Sequence, residues 1–406
     1  MPTAGRVPDV LSYEFRANPY AAYRVMREDA PLVWHEAMHS YIISRYDDVE
    51  RAFRNPVFTA ENYPWQVESV MGRTISRMTG REHAVQRAMV APEFRGRQLR
   101  DRVLPVIERN ARGLIDRFLG VGSADLVSEF CGMFPANMTA DMLGLGSGDH
   151  EKFRGWSNSV VTFLGDLGQD PEVTAAAKRT RKEFAAHLAP IIRERRVAPR
   201  EDLLSALCVA EVDGMTMSDE DIETFCCFLL FAGTRTSELA IASVFANLLT
   251  HPVQLAAVRV DRELIPQAFA ETLRYSPPLH MVMRKATEDV IVSGGKIRAG
   301  SAVTCLIGAA NRDPQRYADP DTFNIFREDL TVTSAFSAAA DHLAFALGRH
   351  FCVGTHLAKA EVEIVVNQVL DAMPDMVLED GFTPAEQGHF TRGPDAVRVR
   401  FTPHDS

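Results

Sequence analysis

The sequence predicts a mostly α-helical protein with a small β region. Three observations lead there. From Arg81 to about Ala206 apolar residues recur at helical spacing, broken only at Gly120-Val-Gly122, at Gly144–Gly148 and at Gly165-Asp-Leu-Gly168. From Ser218 to about Thr250 one apolar helix is expected, roughly 45 Å long at 1.5 Å per residue. After Tyr275 the character changes to short β-rich runs separated by Gly-Gly and Ala-Gly turns. No linker, internal repeat or low-complexity stretch interrupts the chain, so residues 1–406 read as a single domain.

The elements follow in order. Asn18-Pro19 through Glu28 has the pattern of a short helix. Leu32–His35 and Ser40–Ser44 read as a strand pair, because Val33, Trp34, Tyr41, Ile42 and Ile43 are strand formers. Asp47–Asn55 returns to helix, and 57–79 is poorly periodic, which predicts a long functional or mobile loop. Ser218 opens the long helix. Its hydroxyl suits an N-cap, and Asp219, Glu220 and Asp221 load the positive end of the helix dipole. His251-Pro252 stops that helix. Met283–Ala286, Val290–Val292, Lys296–Arg298 and Ala302–Leu306 are the expected later strands.

Composition narrows the function. The apolar fraction of 46% is that of a globular protein, and a net charge of −10 excludes non-specific nucleic-acid binding. The six cysteines (131, 208, 226, 227, 305 and 352) show no framework spacing, which points to a reducing compartment. The N-terminal Met1-Pro-Thr-Ala-Gly-Arg-Val-Pro carries no signal-peptide core. The longest apolar run, near Phe225–Ala232, is too short to span a bilayer. These readings predict a soluble cytoplasmic protein with no membrane attachment.

Chemistry concentrates in His342-Leu-Ala-Phe345-Ala-Leu-Gly348-Arg-His350-Phe-Cys352-Val-Gly354-Thr-His356. Val362, Val365, Val366 and Val369 then mark a helix, so Cys352 is expected at or just before a helix N-terminus, where the dipole favours a thiolate. A thiolate in a tight loop is a good axial ligand for haem iron, and Gly348 and Gly354 would let backbone approach a flat macrocycle. Two other readings compete. A lone cysteine often serves as a small buried apolar residue. His342, His350 and His356 suggest zinc, although no CxxC or HxxxH pair accompanies the cysteine.

The segment Phe345-x-x-Gly348-x-x-x-Cys352-x-Gly354 resembles the haem-binding signature of cytochrome P-450 monooxygenases, with Ala346 where many members carry a second glycine. Further motifs resemble the same family. They are Glu271-Thr-Leu-Arg274, Asn311-Arg-Asp313-Pro314, Arg327 and Arg392-Gly-Pro394, in order along the chain from about Pro19 to Phe401. Taken alone, Glu271 and Arg274 share a helix face as i, i+3, which is usually a solvated pair of little consequence.

The resemblance implies a P-450 fold, haem b (iron protoporphyrin IX) as cofactor and Cys352 as the proximal iron ligand, with Phe345 beside it. It assigns Glu271, Arg274 and Arg327 to a buried structural cluster that holds the cysteine loop. It assigns His83 and Arg87 to one haem propionate, and Arg284 and His342 to the other. Ala232-Gly233-Thr234-Arg235-Thr236-Ser237 corresponds to the family's oxygen-binding bend, with Gly233, Arg235 and Thr236 as catalytic positions. Arg235 stands where the family carries an acid for proton delivery. From the residues alone, glycine with three hydroxyls in mid-helix invites a kink, and Glu238 is spaced to pair with Arg235.

Pocket positions implied by the resemblance are Trp65, Val67, Val161, Phe163, Leu229, Ala232, Leu279, Val282 and Phe390. Their apolar character fits a lipophilic natural product such as a terpenoid or polyketide. The implied activity is hydroxylation or epoxidation by a monomeric enzyme of secondary metabolism, using dioxygen and electrons from a ferredoxin and its ferredoxin reductase. Arg81, Arg95, Arg97, Arg100, Arg349 and Lys359 form the local basic excess expected to meet the ferredoxin. Peroxide-driven oxidation, suggested by Arg235, and a non-catalytic haem-binding scaffold are the alternatives.

Overall fold

The computed structural model describes residues 7–61 and 64–403, with the side chains of 64–66 excepted. They gather into two compact units, each discontinuous in sequence. The first comprises Met1–Asn62, Ser243–Cys352 and Thr383–Asp395, and the second Tyr63–Ala242, Val353–Phe382 and Ala396–Ser406.

The first unit holds a five-stranded sheet. Its spatial order is Leu32–His35, Ser40–Ile43, Ala302–Leu306, Met281–Ala286 and Phe58–Thr59. The first pair is an antiparallel hairpin in the register Leu32 to Ile43. Ala302–Leu306 runs parallel to Ser40–Ile43 and antiparallel to Met281–Ala286. A separate hairpin joins Val290–Val292 to Gly295–Ile297 through Ser293-Gly294, both at positive φ, as a tight hairpin turn requires. The expected strands are therefore present. The helices Tyr20–Asp29 and Tyr46–Arg54 also form near the expected bounds. Tyr46, Val49, Phe53, Val303, Cys305, Tyr317, Leu343 and Leu347 make one buried cluster; Phe15, Tyr23, Met26, Ile42, Met281 and Leu306 make another.

The helix Ile265–Tyr275 carries the charged centre of this unit. Glu271 and Arg274 are fully buried. Arg274 donates from Nε to Glu271 Oε2 at 2.7 Å and from Nη2 to Oε1 at 2.8 Å. Its remaining three hydrogens go to the carbonyls of Asn311, Pro320 and Thr322 at 3.1, 2.8 and 3.0 Å. All five guanidinium donors are thus used. Arg327 Nε lies 3.0 Å from Glu271 Oε2, and Asn324 N–H donates to Oε1 at 2.8 Å.

The second unit is helical. Gly80–Val90, Leu104–Ile115, Phe134–Met142, His150–Gly165, Pro171–Val197, Asp219–Ala232 and Thr355–Ala372 are its main elements. Phe153, Phe184 and Trp156 interlock by edge-to-face contacts of 6.2 and 5.2 Å. Strand content among the described residues is limited to a three-stranded sheet of Val377–Leu378, Arg398–Arg400 and Ser123–Asp125 and a small hairpin, Glu211–Val212 with Met215–Thr216.

Two expectations need correction. The poorly periodic 57–79 segment contains a helix, Pro64–Met71, whose proline fits a first helical turn. The apolar stretch Asp219–Thr250 is long and apolar enough for a membrane span by length and composition, but 67% of its apolar window is buried inside the protein, as in a core helix. It is also two helices, Asp219–Ala232 and Arg235–Thr250. Its start is as expected: Ser218 Oγ accepts from Asp221 N–H, and the Asp221 carboxylate accepts from Ser218 N–H, forming a capping box.

Replacing Glu271 with alanine leaves Arg274 charged, buried and without its carboxylate. The expected loss is about 3–5 kcal/mol of folding free energy, read as a lowered denaturant midpoint or as insoluble protein. A midpoint unchanged from wild type would mean that this pair does not hold the unit together.

Candidate active site

The cysteine loop belongs to the first unit and is built on a turn. Cys352 N–H donates to Phe345 O at 2.9 Å, closing the loop backbone on itself. Ala346 and Gly348 both sit at positive φ, 53° and 69°. A side chain at Gly348 would meet the Phe53 carbonyl oxygen at 2.7 Å, so only glycine fits that approach. Phe345 packs against His342, Phe351, Phe336 and Phe269. The loop is joined to the charged centre through Asn311, whose Oδ1 accepts from Leu343 N–H at 2.8 Å and whose Nδ2 donates to Leu273 O. Gly354 caps the helix Thr355–Ala372, which starts three residues after Cys352. Among the described residues no group of three or more His, Cys, Asp or Glu is placed to hold a metal ion, which removes support from the zinc reading.

Two polar side chains near the loop are buried without a charged partner. His342 is completely buried, and its Nε2 has no hydrogen-bond partner among the described residues. Burial pulls its pKa down from 6.5 to about 4. Arg284, on the strand Met281–Ala286, is buried and donates to Met283 O at 2.9 Å. Its guanidinium lies 4.9 Å over the Phe53 ring. Burial lowers its pKa, and no carboxylate among the described residues pairs with it.

In the second unit, His83 and Arg87 lie one turn apart on Gly80–Val90, His83 buried and Arg87 half-buried. The helix break falls at Gly233-Thr234. A side chain at Gly233 would come within 3.2 Å of Leu229 O and of Thr139 Oγ1, and Thr139 Oγ1 donates to Gly233 O at 3.3 Å. The hydroxyls of Thr234 and Ser157 both donate to Leu230 O at 2.6 Å. Thr236 Oγ1 donates to Ala232 O at 2.9 Å. Side-chain hydroxyls therefore take up carbonyls around the break, which is how such a bend is held. Arg235 pairs with Glu238, Nη1 to Oε1 at 2.6 Å, as its spacing suggests. Burial raises the Glu238 pKa more than Arg235 lowers it.

The expected pocket residues divide between the units. Leu279, Val282 and Phe390 fall in the first unit, where Leu279 bridges Thr391 and His280 N–H donates to Phe390 O at 2.9 Å. Val67, Val161, Phe163, Leu229 and Ala232 fall in the second, with Phe163 and Leu229 buried and the others half-buried. The Trp65 side chain lies outside the described residues.

Sequence reasoning missed Thr139 and Ser157, which anchor the break, and Glu361. The last had a visible signal. It stands one turn before Val365 and two turns before Val369, inside the apolar stripe of its helix, where a carboxylate is out of place.

Comparison with known proteins decides the family. A family profile described as Cytochrome P450 matches residues 163–373. The chain is 43% identical to pulcherriminic acid synthase of Bacillus subtilis (strain 168), over 97% of both chains. The chain belongs to the cytochrome P450 family. It is also 31% identical to the cyclomarin C epoxidase CymV of Salinispora arenicola, covering 94% of this chain and 95% of that one. Among solved structures it matches the cytochrome P450 PksS of the Bacillus subtilis 168 bacillaene polyketide synthase, with a TM-score of 0.87 and 26% identity. That match covers 97% of this chain and 100% of that chain. The protein is thus a cytochrome P450 oxidoreductase, and its cofactor is haem b.

The residues of this P450 fit such a group. Haem carries two carboxylates, and the unpartnered Nε2 of His342 and the carboxylate-free cation of Arg284 supply a donor and a charge suited to one of them. Ala346 holds a left-handed backbone without being glycine. Ala346→Gly is expected to stabilise the protein by about 0.5–1 kcal/mol, the cost of the left-handed conformation less the added freedom of the unfolded glycine. Denaturant titration of the two forms checks this. His342 gives a pH test in haem-free protein. With its folded pKa near 4 against 6.5 unfolded, the unfolded state binds more protons between those values. Stability from this group is therefore full above pH 6.5 and is lost as pH falls toward 4, by on the order of 3 kcal/mol. His342→Gln should flatten that part of the stability profile, and an equal slope in both proteins would contradict the assignment.

Proposed function

We propose that this P450 is a monooxygenase that inserts one oxygen atom of dioxygen into a C–H or C=C bond of a lipophilic natural product, the other oxygen leaving as water. The single observation that carries the substrate class is the 43% identity, across nearly the whole chain, to an enzyme named for making pulcherriminic acid. The epoxidase name of CymV supports the same reading. When bound, haem supplies oxygen activation, and the protein supplies position and protons.

In this reading Cys352 holds the iron as thiolate, and Phe345, Gly348 and Gly354 shape its loop. Arg284 and His342 serve one propionate, and His83 and Arg87 the other. Gly233 and Thr236 form the oxygen-side bend. Arg235 is engaged by Glu238, and a guanidinium does not act as an acid in proteins. The apolar residues proposed to meet substrate are Val67, Val161, Phe163, Leu229 and Ala232 of the second unit and Leu279, Val282 and Phe390 of the first. Electrons come from a ferredoxin and its reductase, in the cytoplasm. Of the six cations expected to meet the ferredoxin, Arg81, Arg97 and Lys359 are paired with Asp213, Asp101 and Glu363. Arg95, Arg100 and Arg349 are exposed and carry the steering charge.

The test couples spectrum to turnover. The reduced carbonyl complex of wild type should show the red-shifted Soret band of a thiolate-ligated haem. Cys352→His should retain some haem, lose that band and lose oxygen activation. An unchanged band in Cys352→Ala would remove Cys352 as ligand. With a surrogate ferredoxin and reductase, candidate natural products should accelerate nicotinamide oxidation and yield oxygenated product. A haem-loaded protein that shows no substrate-dependent oxidation, with any partner, would be a binder and not an enzyme.

A further inference from the structure

The last turn of Tyr46–Arg54 touches two parts of the first unit that serve the cofactor. The Phe53 carbonyl oxygen is the atom that a side chain at Gly348, in the cysteine loop, would meet at 2.7 Å. The Phe53 ring lies under the Arg284 guanidinium, 4.9 Å from its centre. The chain then runs into Phe58–Thr59, which pairs antiparallel with the strand that carries Arg284, in the register Phe58 to Ala286 and Thr59 to Lys285. Val57 O accepts from Thr287 N–H at 2.8 Å, just past the end of that strand. The stretch 53–59 is thus fixed against the cysteine loop and against the Arg284 strand together.

Arg284 needs such a support. It is 5% exposed, and only its Nη1 has an acceptor among the described residues, the Met283 carbonyl oxygen. A buried cation without a counter-charge is costly. The negative face of an aromatic ring offsets part of that cost. Phe53 is itself buried, in one apolar cluster with Leu343, Leu347 and Ala286, so its ring has little room to turn away. The guanidinium keeps further donors for a ligand. Without the ring a long side chain would sample several rotamers, and a ligand would have to order it on binding.

We infer that Phe53 is a positioning residue for haem: its ring holds the Arg284 cation in place for a propionate before haem binds. Its main chain meanwhile seats the loop of Cys352. Two anchors of one rigid molecule, the iron ligand and a carboxylate partner, are referred to the same residue. The inference rests on the reading of Arg284 as a propionate partner. Phe53 acts through Arg284 and need not touch haem.

The experiment measures how fast haem passes from the loaded enzyme to excess apomyoglobin. Wild type is compared with Phe53→Leu, Phe53→Tyr, Arg284→Gln and the double variant of Phe53→Leu with Arg284→Gln. Phe53→Leu should release haem about tenfold faster, as expected for loss of a desolvated cation–π contact. Phe53→Tyr keeps the ring face and should restore slow release. With Arg284→Gln already present, Phe53→Leu should add little, because the ring then has no cation to hold. The red-shifted band of the reduced carbonyl complex should persist in Phe53→Leu, since Gly348 meets only the main chain of Phe53. Equal acceleration by Phe53→Leu with and without Arg284 would show a ring that acts through packing alone, and overturns the inference. Loss of the red-shifted band would place the effect in the cysteine loop and overturns it as well. Slow release from Phe53→Leu beside fast release from Arg284→Gln overturns the role of Phe53 and leaves the propionate reading standing. Slow release from Arg284→Gln removes that reading and the inference with it. If Phe53→Leu does not fold, Phe53→Met, which also lacks a ring, carries the same comparisons.

Discussion

The guanidinium of Arg274 is the point on which the first unit depends. A buried charge is expensive unless every hydrogen-bonding direction is met, and here all five are met, two by Glu271 and three by main-chain carbonyls. The carbonyls belong to residues 311, 320 and 322, a stretch with little regular secondary structure of its own. Asn311 then passes the constraint to Leu343, at the start of the cysteine loop. The loop, whose Leu343, Phe345 and Leu347 pack into the core, is thereby also fixed by a chain of hydrogen bonds running back to one helix. Because Arg274 binds main-chain carbonyls there, what it requires of 311–322 is the path of the backbone, while Asn311 is held to its identity by its own side-chain bonds to Leu343 N–H and Leu273 O.

Much of this was legible along the chain. The strand formers of 32–44 and the tight turns after Tyr275 declared the sheet, because alternation and turn residues are local signals. Ser218 with three following acids declared the start of its helix, and Gly233 among hydroxyls declared the bend. Glu271 and Arg274 were visible as a spaced pair, but their burial was not. A solvated pair and a buried one look alike until the carbonyls 37 to 48 residues away are in place.

What the sequence hid was long-range. Ser157 and Thr139 hold the bend from 73 and 94 residues away along the chain, and nothing in their own windows marks them. Ser237 and Glu361, whose side chains meet at 2.6 Å, are 124 residues apart. The Pro64–Met71 helix was obscured because its apolar residues lack a clean period, so packing rather than pattern selects it. The left-handed backbone at Ala346 was equally invisible, since alanine gives no hint of positive φ.

The charge pair at Arg235 and Glu238 has a consequence before the protein is folded. The stretch Asp219–Thr250 could be taken for a membrane segment as it leaves the ribosome. Arg235 stands at its midpoint, the depth at which an insertion machinery penalises a charged residue by about 2.5–3.5 kcal/mol. Glu238 lies one turn further on. Arg235 therefore also disfavours insertion of the nascent stretch into a membrane and favours its folding into the core.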